Sequence, residues 1–445
     1  MPTKIKLKRG FDIRLQGEAD PNKVTRATSD LYAVKPTDFR ALAPKLEVKA
    51  GDRVRAGDPL FSDKYRPEVK FTSPVSGIVE EVRRGEKRRV MAVVVRADEQ
   101  IAYKPFDAPS LDRLTKEGLI ALLLESGLWP LIKQRPYDIV ADPGARPKGI
   151  FATAFDSAPL APDYRLLLKD DARALEAGLE ALGKLAPLHV NAREDQASVL
   201  PARLPAGARV HFFEGPHPAG NAGVQIHHLA PLGKGETAWT ISLPDAALVG
   251  RLLLEGRVDA RKRVAITGPE VTGPGYAETI AGARVGCLAE GGEGRRMISG
   301  NALTGDRVEE DDFLGFYHRQ VTVIAEGNRP EFLGWALPGF GKLSMSRTFP
   351  AFLFPRRRYR ADTNLRGEER AFVVSGQYEK VLPMDVLPVY LLKAILAGNV
   401  EKMEQLGIYE VAPEDLALCE FACTSKVPVQ EIVARGIALM MKELS

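Results

Sequence analysis

The residues best suited to chemistry in this 445-residue chain are six histidines and three cysteines. His217, His227 and His228 fall within "FFEGPHPAGNAGVQIHHL", residues 212–229, close enough to raise the question of a metal site. Adjacent histidines on a helix point about 100° apart, and no cysteine or carboxylate nearby completes a ligand set. They read as satisfied or exposed imidazoles, and His189, His211 and His318 carry no spacing signal. Cys419 and Cys423 would share one face of a helix. A cubane cluster takes four cysteines, however, and Cys287 is distant in sequence, so the pair reads as small buried apolar residues. No metal site is expected. With no Ser-His-Asp or Cys-His set, no paired acid–base carboxylates and no Walker lysine, no catalytic residue is named, and the chain alone is not expected to be a catalyst.

Three other stretches carry charge or backbone donors. Gly215, Gly220 and Gly223 precede a probable helix and leave amides that could hold an anion at its N-terminus. The stretch matches neither G-x-G-x-x-G nor a Walker sequence, and a structural turn is the simpler reading. Lys64, behind an acidic residue in "FSDKYRPEVKFTSPVSG", sits where a swinging-arm lysine would. The longer return through Pro67 favours a scaffold role instead. "FPRRRYRADTNLRGEER", 354–370, offers Arg356, Arg357, Arg358 and Arg360 either as a solvated loop or as a partner-docking surface. Tyr359 is the only aromatic residue among those arginines, short of the stacking ladder of a single-strand binder.

These residues must be positioned by several domains, since a chain of this length suggests about three of them. The fold class expected is α/β multidomain. Residues 1–108 alternate in short runs broken by Gly-Asp turns and read as a biotinyl/lipoyl-like β barrel-sandwich domain with an N-terminal strand. From 109 to 258 strands such as "GIFATAF", "PLHVNA", "ARVHFF" and "AWTISL" alternate with helical runs. That pattern points to a Rossmann-like parallel sheet domain. Residues 259–334 read as a β-grasp domain of the SLBB type, and 335–445 as a linker followed by a helical domain.

Composition narrows the partners. A formal net charge of +4 is too small for a nucleic-acid protein built on global charge, so no nucleic acid is expected. The cysteines form no disulfide framework, which suggests a reducing compartment. The N-terminus lacks the apolar core of a secretory signal. The longest apolar candidate, "VLPMDVLPVYLLKAILAG", carries Asp385, Lys393 and two prolines, so no membrane span is expected.

Taken in order, "IKLKRGFDIRLQG", "VKFTSPVSGIVEEVRRGEKR", "ESGLWPLIKQRPYD", "FEGPHPAGNAG", "GWALPGFGKLSMSRTF", "YEKVLPMDVLP" and "LGIYEVAPEDLALCEFAC" resemble, from end to end, the NqrA family, the A-type subunits of the sodium-translocating NADH:quinone reductases (Na+-NQR). The resemblance implies a peripheral subunit on the cytoplasmic side of the bacterial inner membrane. Its partners would be the five other subunits, above all the integral membrane partner NqrB, and those would carry FMN, FAD, riboflavin and iron centres. That family is related to RnfC of the Rnf complex and to the NADH-oxidising flavoprotein of complex I. Where those relatives hold a flavin loop, this chain has "GLWPLIKQRPY", whose Trp129, Pro130, Arg135 and Tyr137 would obstruct a flavin phosphate. Where they hold cluster cysteines it keeps only Cys419 and Cys423. The resemblance thus implies a cofactor-free subunit that contributes to ubiquinone interaction. Phe39 and Arg40, with Trp129 and Tyr137 as walls and Lys133, Gln134 and Arg135 as donors, are the residues expected to form or border the quinone region. An Rnf-type electron-transfer protein, or a free-standing lipoyl-like carrier, is the alternative.

Overall fold

The computed structural model describes residues 3–327, 332, 334 and 337–443. Trp335 and Ala336 of the "GWALPGFG" stretch, and the expected boundary between 334 and 335 with them, lie at or outside the described residues.

The first hundred residues build two small antiparallel sheets. Leu31–Val34, Val90–Ala97, Gly77–Arg84 and Arg53–Val54 form one, and Pro44–Leu46, Pro59–Asp63 and Lys70–Thr72 the other. Val79, Val93 and Val95 share a cluster with Leu60, Phe61 and Phe71, as the period-two pattern requires. Lys64 is exposed in the turn between Pro59–Asp63 and Lys70–Thr72.

The central sheet has seven strands, in the order Thr3–Lys6, Arg209–Glu214, Leu188–Ala192, Ile150–Thr153, Ala238–Ser242, Lys133–Arg135 and Ile139–Val140. The first five run parallel, Lys133–Arg135 runs against them, and Ile139–Val140 pairs antiparallel with Lys133–Arg135. All four residues of Ile150–Thr153 are buried because both faces are covered. Ile150 and Ala152 join the core under the helices Ala172–Leu185 and Leu243–Glu255, while Phe151 packs with Ile226 of the helix Ala222–Leu229. Leu243–Glu255 starts where Ser242 Oγ accepts from Asp245 N–H and ends at Gly256, φ 61°.

The N-terminal strand pairs with Arg209–Glu214 and closes the edge of the central sheet. Residues 133–135, expected to supply ligand donors, are a strand whose register with Ala238–Ser242 fixes them.

A fourth sheet, in the order Asp306–Val308, Arg295–Ser299, Gln320–Ala325, Arg261–Thr267, Gly275–Ile280 and Val24–Arg26, follows the central one. The helices Pro388–Leu396 and Val429–Glu443 then bury Leu391, Ile395, Ile432 and Ile437 against Leu7, Ile13, Phe155 and Phe213. The helical C-terminus therefore packs on the strand-edge loops of the central sheet.

Candidate functional site

From Ile150–Thr153 the chain moves outward through Leu188–Ala192 and Arg209–Glu214, then returns to the other flank of Ile150–Thr153 as Ala238–Ser242. The order reverses between Ile150–Thr153 and Ala238–Ser242, and in open parallel sheets such a reversal opens a crevice beyond the carboxyl ends of the strands. A cavity of about 230 Å³ lies there, lined by Thr153, Phe155 and Asp156 after one strand and by Thr240, Ile241 and Ser242 at the end of the other.

Its polar lining comes from distant segments. Lys133 pairs with Asp138 at 2.7 Å and stands 5.0 Å over the ring of Tyr317. Burial opposes ionisation of Asp138, but Lys133 and then Arg135 outweigh it and hold the carboxyl at about 2. Partly buried Asp156 is pushed the other way: burial raises it against the amides of Ala158 and Ser157. His217 is buried, its Nδ1 lies 3.0 Å from Ser157 Oγ, and its Nε2 has no hydrogen-bond partner. Burial holds this imidazole neutral, its pKa lowered to about 4. His318, lowered by burial to about 3, is held by Ser299 Oγ at 2.9 Å. Arg319 donates to Asp245 at 2.6 Å while its Nε is unpartnered. Phe155, Ile241, Leu131 and Pro162 supply apolar wall between these groups. Apolar faces with a few fixed donors suit a flat ring bearing carbonyl groups. The volume is below that of pockets for drug-sized ligands and matches one substituted ring better than a dinucleotide.

The neighbouring helix N-terminus is already occupied by an anion of the chain itself. Asp415, 1% exposed, accepts from Arg135 Nη1 at 2.8 Å, from Ala412 N–H at 2.9 Å and from Asn221 Nδ2 at 3.4 Å. A Cβ at Gly223, in the first turn of Ala222–Leu229, would run into that carboxylate. Arg135 also donates to Glu414. Burial works against the charge on Arg135, and Asp415, Asp138 and Glu414 more than restore it. This cluster ties the C-terminal helices to the sheet.

Of the residues expected to form or border the quinone region, Lys133 lines the cavity, while Phe39, Arg40, Trp129, Gln134, Arg135 and Tyr137 do not. Phe39 is buried against Phe71 and Phe316, with Tyr317 5.8 Å away, so Tyr317 links it to Lys133. Arg40 helps lower Asp138. Trp129, however, is a core residue rather than an open wall. It lies edge-on to Trp239 at 5.3 Å and donates from Nε1 to Ala141 O. Gln134 Oε1 accepts from Asp142 N–H, Arg135 is committed to Asp415 and Glu414, and Tyr137 packs 6.3 Å from Tyr409. Of the arginine run, Arg358 pairs with Glu18 and Arg360 with Glu270. His227 meets Glu410 at 2.7 Å and His228 the carbonyl of Pro383, as satisfied imidazoles do.

Sequence reasoning missed Asp156, Tyr164, His217 and Arg319 as cavity residues. The sign available was the strand "GIFATAF" running straight into "DSAP", where the end of a parallel strand faces the crevice.

Three family profiles match: the NqrA N-terminal barrel-sandwich hybrid domain over residues 5–98, the NqrA second alpha/beta domain over 114–258 and the NQRA C-terminal domain over 263–310. Full-length relatives include the A-type subunits of the Na(+)-translocating NADH-quinone reductases of Pseudomonas aeruginosa, 35% identical, and of Vibrio vulnificus, 37% identical. Each alignment covers 99% of this chain and 100% of the relative. A chain of a NAD+-reducing [NiFe]-hydrogenase superposes on 75% of this chain and 64% of its own at 13% identity and a TM-score of 0.40, a likeness too distant to build on. With the parallel strands, the crevice and the helical C-terminus set in one order along a full-length match, the chain belongs to the NqrA family, the A-type subunits of the Na+-translocating NADH-quinone reductases.

Proposed function

We propose that the chain acts as a peripheral, cofactor-free member of a complex that couples NADH oxidation by ubiquinone to sodium export, and that the crevice cavity receives the quinone ring. The observation that carries the reading is Lys133 and the unpartnered Nε2 of buried His217 on one cavity with apolar walls between. Donors in that arrangement strengthen as a quinone gains electrons and its oxygens become more negative. Phe39, Arg40, Trp129, Gln134, Arg135 and Tyr137 are then the support behind Lys133 and Asp138. The cofactor-free reading rests on "GLWPLIKQRPY", where Trp129 and Arg135 are buried and Arg135 is committed to Asp415 and Glu414, leaving no open backbone for a flavin phosphate.

In this reading the first, second and third segments are lipoyl-like, Rossmann-like and β-grasp in type, with boundaries near 108, 258 and 334. The chain sits at the cytoplasmic face of the inner membrane, and its partners are the five other subunits, the integral membrane protein NqrB first, which carry FMN, FAD, riboflavin and iron centres. Among the described residues no helix is long and apolar enough to cross a membrane. The test is steady-state kinetics of the assembled complex carrying Lys133→Ala or His217→Ala. The expected result is a rise in the KM for quinone of about tenfold for each, from loss of one buried donor. An unchanged KM in a fully assembled complex removes the quinone from this cavity.

A further inference from the structure

Between residues 332 and 360 the sequence contains six lysines and arginines and no aspartate or glutamate. Within this stretch Phe340 at 55% exposed, Phe352 at 51%, Leu353 at 61% and Phe354 at 44% face outward, while Phe349 is buried and Leu343 and Met345 pack on the core. Single exposed apolar residues are ordinary, but several in one short stretch mark a contact surface. Phe352 and Leu353 are presented by the 3-10 turn Pro350–Leu353. The Arg347 guanidinium lies 5.4 Å over the Phe352 ring, and Arg357 is held by the carbonyl of Phe340 at 2.9 Å. The far end is fastened to the body. Tyr359 is buried and bridges to Leu15, and Arg358 and Arg360 are paired with Glu18 and Glu270. Among the described residues Arg347 and Arg356 have no carboxylate partner, so their charge remains available beside the exposed rings.

We propose that this stretch rests on the membrane surface, with Phe352, Leu353 and Phe354 entering the headgroup layer and Arg347 and Arg356 pairing with anionic lipid phosphates. Exposed rings and leucine joined to unpaired arginines, with no acidic residue among them, match a surface of uniform negative charge. A protein partner would more commonly be met by a mixture of both signs around an apolar centre. Arginine over an aromatic ring is also the pairing that lets the apolar body sink while the charge stays at the headgroups. Such a contact is weak by itself and supplements the hold of partner subunits.

The experiment is co-sedimentation of the purified full chain with vesicles of phosphatidylcholine alone or containing phosphatidylglycerol. The expected result is binding to the anionic vesicles only, weakened by about tenfold or more at high salt and by the double substitution Arg347→Gln with Arg356→Gln. The pair Phe352→Ser with Phe354→Ser should weaken it similarly at an unchanged melting temperature. No binding to anionic vesicles at low salt, or equal binding by wild type and both variants, overturns the proposal. Variants that bind vesicles like wild type yet drop out of the assembled complex also overturn it and make the stretch a protein-docking surface.

Discussion

Arg135 shows how a residue's type can suggest one role and its surroundings another. Its position in "KQRPY" suited a donor to a ligand, but the folded chain buries it with Asp415, Glu414 and Asp138. Removing one partner of a buried ion cluster leaves the others charged and unpaired, at a cost of about 3–5 kcal/mol. Arg135→Ala is therefore expected to lower stability by that amount in denaturant titrations of the full chain. A KM effect without loss of stability would return Arg135 to the ligand. The histidines give a second prediction. His211 and His217, both lowered by burial to about 4, bind protons more readily unfolded than folded. Their stabilising neutrality is complete above about pH 6.5 and is lost as pH falls toward 4. Acidification through that window should destabilise the chain, and His217→Gln should remove up to about 3 kcal/mol of that pH dependence, read from melting or denaturant curves at pH 7 and 4.5.

Among the elements, the helices Ala172–Leu185 and Leu243–Glu255 approach one another through glycines. A Cβ at Gly178 would strike the carbonyl of Ala246, and one at Gly250 that of Ala174. Gly178→Ala is expected to push the helices apart and cost about 1–3 kcal/mol, despite alanine's better helix propensity. An equal or higher melting temperature would contradict that packing. These helices were legible in the sequence because "DDARALEAGLEALGKL" repeats at helical spacing. So were the strands "GIFATAF", "PLHVNA", "ARVHFF" and "AWTISL", whose apolar runs are local signals. The strand Lys133–Arg135 was not. Two of its three residues are charged, and its place depends on pairing with residues 238–240, a hundred positions away.

The same distance limit governs the molecule as a whole. Residues 3–6 gave no sign that their partner is 211–214, and Leu7, Ile13 and Leu15 beyond them sit in the core of the C-terminal helices. The N-terminal segment thus joins the central sheet to the end of the chain. Deleting residues 1–16 should expose the edge of the sheet and part of that core, which native-state hydrogen exchange would report as lost protection in both 209–214 and 388–396. The cavity was illegible for a related reason. Lys133, Asp156, His217, Arg319 and Glu414 come from separate stretches and converge only once the strand order reverses. The most direct measurement of the central claim is photolabelling of the assembled complex with a ring-substituted photoreactive quinone, followed by peptide mass spectrometry. The account predicts quinone-protected label on residues 131–138, 153–164 or 217–222 of this chain. Label confined to other subunits, or to stretches of this chain remote from the crevice, would contradict it.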